Sequence, residues 1–281
     1  DDFQECIDYH LEPSIYSLNI LDEFIKILIS NEEKGFPIHL KIDTGMKRLG
    51  IDSSELEHFI SVLNSQPEIS LKGVYSHFAE SNNVKNPEFT KGQLASFLKT
   101  CSILSERISD SFIRHISNSD ATLNYPESQL DMVRLGLVTY GISENSNLNK
   151  ELTPVITWSS QVAQIKLVRK GESIGYGRSF RSEKEMQIAI IPVGYADGFR
   201  RSLGNGKGSV FINGHMFYTI GNVCMDMIMI DVSNEDILPG AIVEIIGENQ
   251  SLRQFAKLLN TIPYEVLTSL SNRVHRNYIL S

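Results

Sequence analysis

The 281 residues are 41% hydrophobic and 21% charged, which is an ordinary globular composition, and the length predicts one large domain or two unequal ones. A formal net charge of −8 without any Lys/Arg-rich run argues against a nucleic-acid partner, because phosphates need a basic face. Short apolar runs predict no membrane span, the acidic start predicts no signal peptide, and three scattered cysteines predict neither a disulfide framework nor a metal site. We therefore expect a cytoplasmic protein.

Up to about residue 142, short apolar runs alternate with helical patterns, which predicts parallel βαβ units. A capping box, Ser54 with Glu57, predicts the start of one of the helices. Five units are fewer than the eight that close a (β/α)8 barrel, so an open sheet and a barrel without its first strands both remain open. The predicted strands are 13–17, 37–43, 71–77, 112–117 and 133–140.

A polar, turn-rich segment at 143–150 is interpreted as a linker, and β patterns dominate after it. Asn213-Gly214 between two strand-like runs predicts a hairpin, because both residues tolerate a positive φ. A short helix is predicted at 251–259. The predicted strands are 156–168, 187–193, 209–212, 216–232 and 241–246.

Polar residues follow three of the predicted parallel strands. Arg48, in KIDTGMKRLG at 41–50, is a fixed cation suited to a carboxylate, although a solvated loop arginine is an equally good interpretation. His77 follows the next strand, and Ser119 follows the one after it, where a helix start could hold a phosphate or simply be capped. Gly136 lies in the last of these segments, so a phosphate ester is plausible here.

Three motifs in the second half place polar groups on turns. Tyr176 lies between two glycines in GYGRSF, Tyr195 lies in PVGYADGF at 192–199, and Met225 lies in GNVCMDM at 221–227. Each motif on its own also fits a β-bulge or a corner that packs a side chain.

Eight motifs in order resemble the alanine racemase family: the four strings above, YSHFAES, HISNSDA, MVRLGLVTYGI and YEVLTSLSNRVHR. The resemblance covers nearly the whole chain. It implies an α/β plus all-β protein, with an incomplete pyridoxal-phosphate-binding TIM-type barrel over residues 1–145 and a mainly-β domain over residues 146–281. It also implies a head-to-tail homodimer whose active sites are shared between subunits.

The resemblance implies a role for each matching residue in binding pyridoxal 5′-phosphate. Arg134 would face the pyridine nitrogen and keep it unprotonated, since a guanidinium does not readily give up a proton. His115 would hydrogen-bond Arg134, and His77 would lie beside the ring. The phosphate would be held by Ser119, Gly136, Leu137 and Tyr264.

On the substrate side, the resemblance implies that Tyr176 of the partner subunit is one of two bases on opposite faces of the substrate Cα. Free tyrosine titrates near ~10, so such a base must be tuned or paired. Arg48 and the N–H of Met225, the latter from the partner subunit, would fix the substrate carboxylate. Lys41, carboxylated, would position Arg48, and Tyr195 would line the mouth of the site.

The implied activity is the interconversion of L- and D-alanine, which supplies D-alanine for peptidoglycan. One departure is important: no motif like VKANAYGHG, which carries the family's cofactor lysine, occurs in these residues, and Lys41 belongs to a later strand. We therefore expect these 281 residues alone to be inactive. A second departure is Asn222, where a basic residue is common in the family.

Several alternatives stay open at this point. The parent chain could be a complete racemase or a fused UDP-N-acetylmuramoyl-tripeptide:D-alanyl-D-alanine ligase/alanine racemase. A racemase for another small amino acid such as serine is the nearest enzymatic alternative. A non-catalytic fragment or interaction module is the alternative from another class, because five units leave unpaired strand edges.

Overall fold

The computed structural model describes residues 2–143 and 151–279. The chain folds as two compact units, Asp1–Pro154 and Val155–Ser281. Apart from Ser143, the predicted linker lies outside the described residues, and the boundary predicted at 145/146 stays a prediction. In the two described ranges, no helix is both long and apolar enough to cross a bilayer.

The first unit is built on a parallel sheet of four strands in the order β1-β2-β3-β4. Helices connect the strands, as the alternating pattern predicts. The strands are β1 (Ser14–Ile15), β2 (Phe36–Lys41), β3 (Ile69–Tyr75) and β4 (Ile113–His115). The helices are α1 (Asp2–Asp8), α2 (Leu18–Ser30), α3 (Leu56–Ser65), α4 (Glu88–Arg107) and α5 (Ser119–Asn124).

The core of this unit lies between the sheet and its helices. Ile38 and Leu40 on β2 are fully buried, and Phe24, Phe59 and Phe97 fill the space from α2, α3 and α4. Burying a phenylalanine side chain stabilises a fold by about 1.5–3 kcal/mol. This core sets the strands side by side, so the residues that follow β2, β3 and β4 meet at one edge of the sheet.

The prediction of a fifth strand at 133–140 is wrong. The main-chain bonds near it are isolated: Asp131, before the segment, donates to Arg114 O of β4 at 3.2 Å, and Arg134 donates to Ser117 O, beyond the end of β4, at 3.0 Å. Gly136, at φ −122° and ψ −93°, then leaves the extended conformation, and a 3-10 helix covers Leu137–Tyr140. The unit count of five therefore falls to four regular parallel strands within the described residues.

The capping box predicted from Ser54 and Glu57 is also wrong, because α3 begins at Leu56 without any side-chain capping hydrogen bond. The Asp52 carboxylate accepts the Ser54 N–H at 2.8 Å, and the Glu55 carboxylate accepts the Asp52 N–H at 3.1 Å. Glu57 instead pairs with Arg107 on α4. These bonds order the turn before the helix and do not cap the helix itself.

The second unit is an antiparallel sheet of seven strands in the order β5-β13-β10-β11-β12-β9-β6, with a separate two-stranded ribbon, β7-β8. Two helices, α6 (Leu252–Leu258) and α7 (Pro263–Ser269), follow the last strand. The fold class predicted from sequence, parallel α/β followed by mainly β, is therefore confirmed. The strands are β5 (Trp158–Gln161), β6 (Gln164–Val168), β7 (Ser173–Ile174), β8 (Phe180–Arg181), β9 (Met186–Ile191), β10 (Ser209–Ile212), β11 (His215–Ile220), β12 (Ile228–Asp231) and β13 (Ile242–Ile246).

Two predicted long strands are each divided in two. The one at 156–168 breaks after Gln161, and its halves, β5 and β6, pair with opposite ends of the same sheet, so the sheet curls. The one at 216–232 becomes β11 and β12, separated by the GNVCMDM motif. The hairpin prediction is confirmed, since Asn213 and Gly214 both have positive φ between β10 and β11. Trp158, Phe199 and Phe255 pack together in this unit with ring centroids 5.8–6.4 Å apart.

Candidate active site

Lys41 is the last residue of β2, and it is buried with 9% of its surface exposed. Its ammonium nitrogen lies 5.6 Å from the centre of the Tyr75 ring. Burial lowers the pKa of the Lys41 amine, and the positive charges of Arg48 and Arg134 lower it further. The neutral amine is therefore favoured more than in an ordinary lysine.

The loop after β2 is tightly organised around Asp43. One carboxylate oxygen of Asp43 accepts the N–H groups of Gly45 at 2.8 Å and Lys47 at 3.1 Å. Gly50 has φ 129° and lies so close that a Cβ there would be 2.6 Å from the Asp43 nitrogen, so only glycine fits. Arg48 is exposed on this loop.

Arg134 extends across the ends of β3 and β4. Its Nη1 lies 2.7 Å from His115 Nδ1, and its Nη2 donates to Ser76 O at 2.8 Å and lies 3.4 Å from His77 Nδ1. Its guanidinium carbon is 5.2 Å from the centre of the Tyr75 ring, a cation–π distance. The structure thus brings together Arg134, His115 and His77.

Both histidines beside Arg134 are held neutral. Burial and the Arg134 charge lower the pKa of His77 to about 4, with smaller contributions from Arg48 and Lys41. Burial, Arg134 and His39 lower the pKa of His115 to about 3. At neutral pH each ring therefore has one nitrogen that accepts a hydrogen bond.

Ser119 and Gly136 also meet at this edge of the sheet. Ser119, the first residue of α5, is buried, and its hydroxyl oxygen accepts the Gly136 N–H at 2.8 Å. Asn118 caps α5 by accepting the Ala121 N–H at 3.0 Å. Leu137 begins a 3-10 helix, whose first N–H groups have no acceptor within the helix itself. The Ser119 hydroxyl and the Gly136 N–H thus lie side by side, directly before the first N–H groups of this 3-10 helix.

Sequence reasoning missed the residue that joins two of these loops, Gln93 of α4. Its amide oxygen accepts the Ala79 N–H at 3.0 Å, and its amide nitrogen donates to His77 O at 3.1 Å and to Thr44 Oγ1 at 3.3 Å. Thr44 also bonds Ser76 Oγ at 2.8 Å. A glutamine on the apolar face of a predicted helix is the signal that could have identified it, because a buried amide needs partners.

Tyr176 lies in the second unit on a turn between β7 and β8, and 72% of its surface is exposed. Gly175 and Gly177 have φ of 69° and 68°, a conformation that glycine adopts without strain. The Asn222 side chain donates to Tyr176 O at 2.8 Å, which fixes this turn to the GNVCMDM loop. A surface cavity of about 860 Å³ is lined by both Tyr176 and Cys224.

Met225 and Tyr195 lie on two loops that are hydrogen-bonded to each other. Tyr195 N–H donates to Cys224 O at 3.1 Å, and Ala196 N–H donates to Met225 O at 2.9 Å. Asp197, also missed from sequence, holds the Tyr195 loop by accepting the Gly194 N–H at 2.8 Å and pairing with Arg273 at 3.0 Å.

Tyr264 is in the first turn of α7, and nearly half of its surface is exposed. Its backbone oxygen accepts the Thr268 hydroxyl at 3.0 Å. The roles of Tyr176, Tyr195, Met225 and Tyr264 toward substrate and phosphate stay predictions.

Comparison with known proteins matches both units to one family. Residues 1–144 match the profile "Alanine racemase, N-terminal domain", and residues 155–278 match "Alanine racemase, C-terminal domain". An alanine racemase of Clostridium tetani is 39% identical over 285 residues, which cover 98% of this chain and 73% of that protein.

Solved structures agree with the sequence comparison. The alanine racemase of D-cycloserine-producing Streptomyces lavendulae has a TM-score of 0.90 at 30% identity, covering 99% of this chain and 75% of that one. The alanine racemase of Bartonella henselae with covalently bound pyridoxal phosphate has a TM-score of 0.86 at 30% identity, covering 98% and 75%. The four parallel strands are thus part of a barrel, and the chain belongs to the alanine racemase family.

Proposed function

We propose that the complete gene product interconverts L- and D-alanine with pyridoxal 5′-phosphate, as a homodimer that supplies D-alanine for peptidoglycan. Family membership supports this reaction class. The observation that carries the proposal is the setting of Arg134, a cation in contact with two neutral imidazoles, two residues before Gly136, whose N–H meets the Ser119 hydroxyl.

The residues present fit this cofactor. Arg134 would meet the pyridine nitrogen with a donor that does not release its proton, so the nitrogen would stay unprotonated and would withdraw electrons less strongly. The neutral ring of His77, with a pKa of about 4, would lie beside the cofactor without adding charge.

The phosphate would lie at the point where Ser119 Oγ and Gly136 N–H now meet at 2.8 Å. Both groups can turn to the phosphate, together with the N–H of Leu137 at the start of its 3-10 helix. The hydroxyl of Tyr264 completes the proposed set. No carboxylate is among these residues, which suits a dianion.

When bound, the cofactor would withdraw electrons from Cα of the amino acid and so acidify its hydrogen. The Tyr176 oxygen of the partner subunit would take or return that proton on one face. The other face needs an amine, and residues 1–281 hold no motif like VKANAYGHG. We therefore propose that these residues alone do not racemise alanine.

Arg48, together with the main-chain N–H of Met225 of the partner subunit, would hold the substrate carboxylate. The lowered pKa of Lys41 favours the neutral amine, which adds to carbon dioxide to form a carbamate and release a proton. That anion would pair with Arg48 and orient it. Tyr195 would narrow the mouth of the site and restrict the substrate to small side chains.

The test is Tyr176→Phe in the complete gene product, with Tyr218→Phe, an exposed tyrosine of β11, as the matched control. In deuterated water, we expect Tyr176→Phe to lose exchange of the α-hydrogen for one enantiomer, with kcat falling by about 10²–10⁴-fold. Tyr218→Phe should exchange both enantiomers normally.

Normal exchange of both enantiomers by Tyr176→Phe would show that another group is the base. Faster turnover of L-serine than of L-alanine would contradict the choice of substrate. For residues 1–281 alone, a lysine adduct of the cofactor trapped by borohydride, together with racemisation, would refute the proposed inactivity.

A further inference from the structure

Four side chains form a continuous row that leads from Arg134 to the surface of the first unit. Arg134 Nη1 lies 2.7 Å from His115 Nδ1, and His115 Nε2 lies 3.0 Å from His39 Nδ1. His39 Nε2 lies 2.8 Å from Glu12 Oε2. His39 and Glu12 have no role in the site described so far.

Elementary donor and acceptor chemistry determines where every proton in this row lies. A guanidinium only donates, so His115 Nδ1 must accept, and the proton of the neutral His115 ring must be on Nε2. That proton points to His39 Nδ1, which therefore accepts, and His39 carries its own proton on Nε2. This last proton points to a carboxylate oxygen of Glu12, which is an acceptor. The donor at one end, Arg134, and the acceptor at the other end, Glu12, thus require the same placement of the ring protons.

The backbone around His39 is shaped to place its ring in this row. The register of β2 and β3 shifts between Ile38 and His39, a β-bulge that re-aims the side chain. Gly73 is directly opposite His39, and a Cβ on Gly73 would lie 2.3 Å from His39 Nδ1. The next ring, His115, is stacked on Tyr75 with centroids 4.9 Å apart and planes within 2°.

The row also connects Arg134 to a negative charge. The hydrogen bonds of its guanidinium go to the two imidazole rings and to the main-chain oxygens of Ser76, His115 and Ile116, none of which is charged. Glu12 is the carboxylate at the far end, with 41% of its side chain exposed. A carboxylate behind an imidazole makes the opposite ring nitrogen a stronger acceptor, because hydrogen bonds in a chain polarise one another.

We infer that Glu12 and His39 are positioning residues, which orient and polarise His115 so that it holds Arg134 in a single place. The order of protons follows from the geometry alone. Its consequence for the cofactor, a pyridine nitrogen met by a rigidly placed arginine, rests on the proposed function.

The first measurement is the protonation of the histidine ring nitrogens, by ¹⁵N–¹H correlation spectra of the complete gene product without cofactor. In the unchanged protein, we expect the rings of His39 and His115 each to carry one proton, on Nε2. A proton on Nδ1 of either ring would overturn the inference.

The second measurement compares Glu12→Gln with Glu23→Gln, which removes an exposed carboxylate on α2. Glu12→Gln keeps the shape and removes the charge, so the His115 Nε2–H signal should move upfield as its hydrogen bond weakens. Glu23→Gln should leave the signal in place. An unmoved His115 signal in Glu12→Gln would refute the role of Glu12.

The third measurement is racemisation with the cofactor present. We expect Glu12→Gln to lower kcat for alanine with little change in KM, whereas Glu23→Gln stays within about twofold, as for an ordinary surface substitution. Equal rates for Glu12→Gln and the unchanged protein would refute the catalytic consequence. If the unchanged protein does not racemise alanine, the proposed function fails, but the ring-nitrogen spectra still decide the proton order.

Discussion

Gly73→Ala is the substitution whose effect the structure determines most directly. Gly73 is opposite His39 in the β2–β3 ladder, and the added methyl group would lie 2.3 Å from His39 Nδ1 and 2.5 Å from its Cε1. Real Cβ atoms do not approach so closely, so the ring must move. Movement breaks the bonds to His115 at 3.0 Å and to Glu12 at 2.8 Å.

The expected loss of stability can be worked out from these two bonds. One neutral bond and one partly exposed bond to a carboxylate together contribute about 2 kcal/mol. Replacing glycine by alanine within a strand by itself raises the free energy of unfolding by about 0.5 kcal/mol, because the unfolded chain loses less conformational entropy on folding. We therefore expect Gly73→Ala to lower the free energy of unfolding by about 1.5 kcal/mol.

The assay is urea unfolding of the complete gene product at a fixed protein concentration. With a denaturant slope of about 3 kcal/mol per M, the midpoint should fall by about 0.5 M. The matched control is Gly92→Ala in the second turn of α4, where a Cβ would have open space and where alanine should raise stability by about 0.5–1 kcal/mol. If Gly73→Ala is as stable as the unchanged protein, the reasoning about the His39 row is wrong.

Two further predictions concern the pH dependence of stability and the loop that carries Met225. His77 and His115 have lowered pKa values of about 4 and about 3 in the folded protein. Below pH 6.5, the unfolded chain should therefore bind protons at these two residues that the folded chain does not bind. The free energy of unfolding should therefore decrease as the pH is lowered, by about 2–3 kcal/mol per ring at pH 4.5. Thermal unfolding at a series of pH values should show this loss of stability, and the loss should be smaller in His77→Gln. An equal loss in that variant would contradict the prediction. In the second unit, a Cβ on Gly194 would lie 2.4 Å from Cys224 O and 2.5 Å from Met225 C. Gly194→Ala should cost about 1–3 kcal/mol and should lower kcat/KM for alanine by displacing Met225; an unchanged kcat/KM would count against its role.

Local patterns in the sequence are enough to predict the order of fold types and much of the local structure. A β pattern placed β10 at residues 209–212, where it is found, and Asn213-Gly214 predicted the hairpin, because few residues tolerate two successive positive φ angles. Ser251 and Gln254 form a capping box at the start of α6, within the helix predicted there. Motif order led to the right family without any structural information. These features depend on residues that are close together in the chain, so they can be predicted from the linear sequence.

Contacts between distant side chains, in contrast, follow from the three-dimensional fold. His39 and His115 are 76 residues apart, and their contact depends on a β-bulge between β2 and β3 that no local pattern predicts. The apolar run at 133–140 looks like a strand, yet it forms no ladder with β4, and Gly136 leaves the extended conformation. The periodicity of apolar residues indicates which face of a segment is buried. The residues that cover this face are determined by strand register and backbone turns, which depend on the whole sheet.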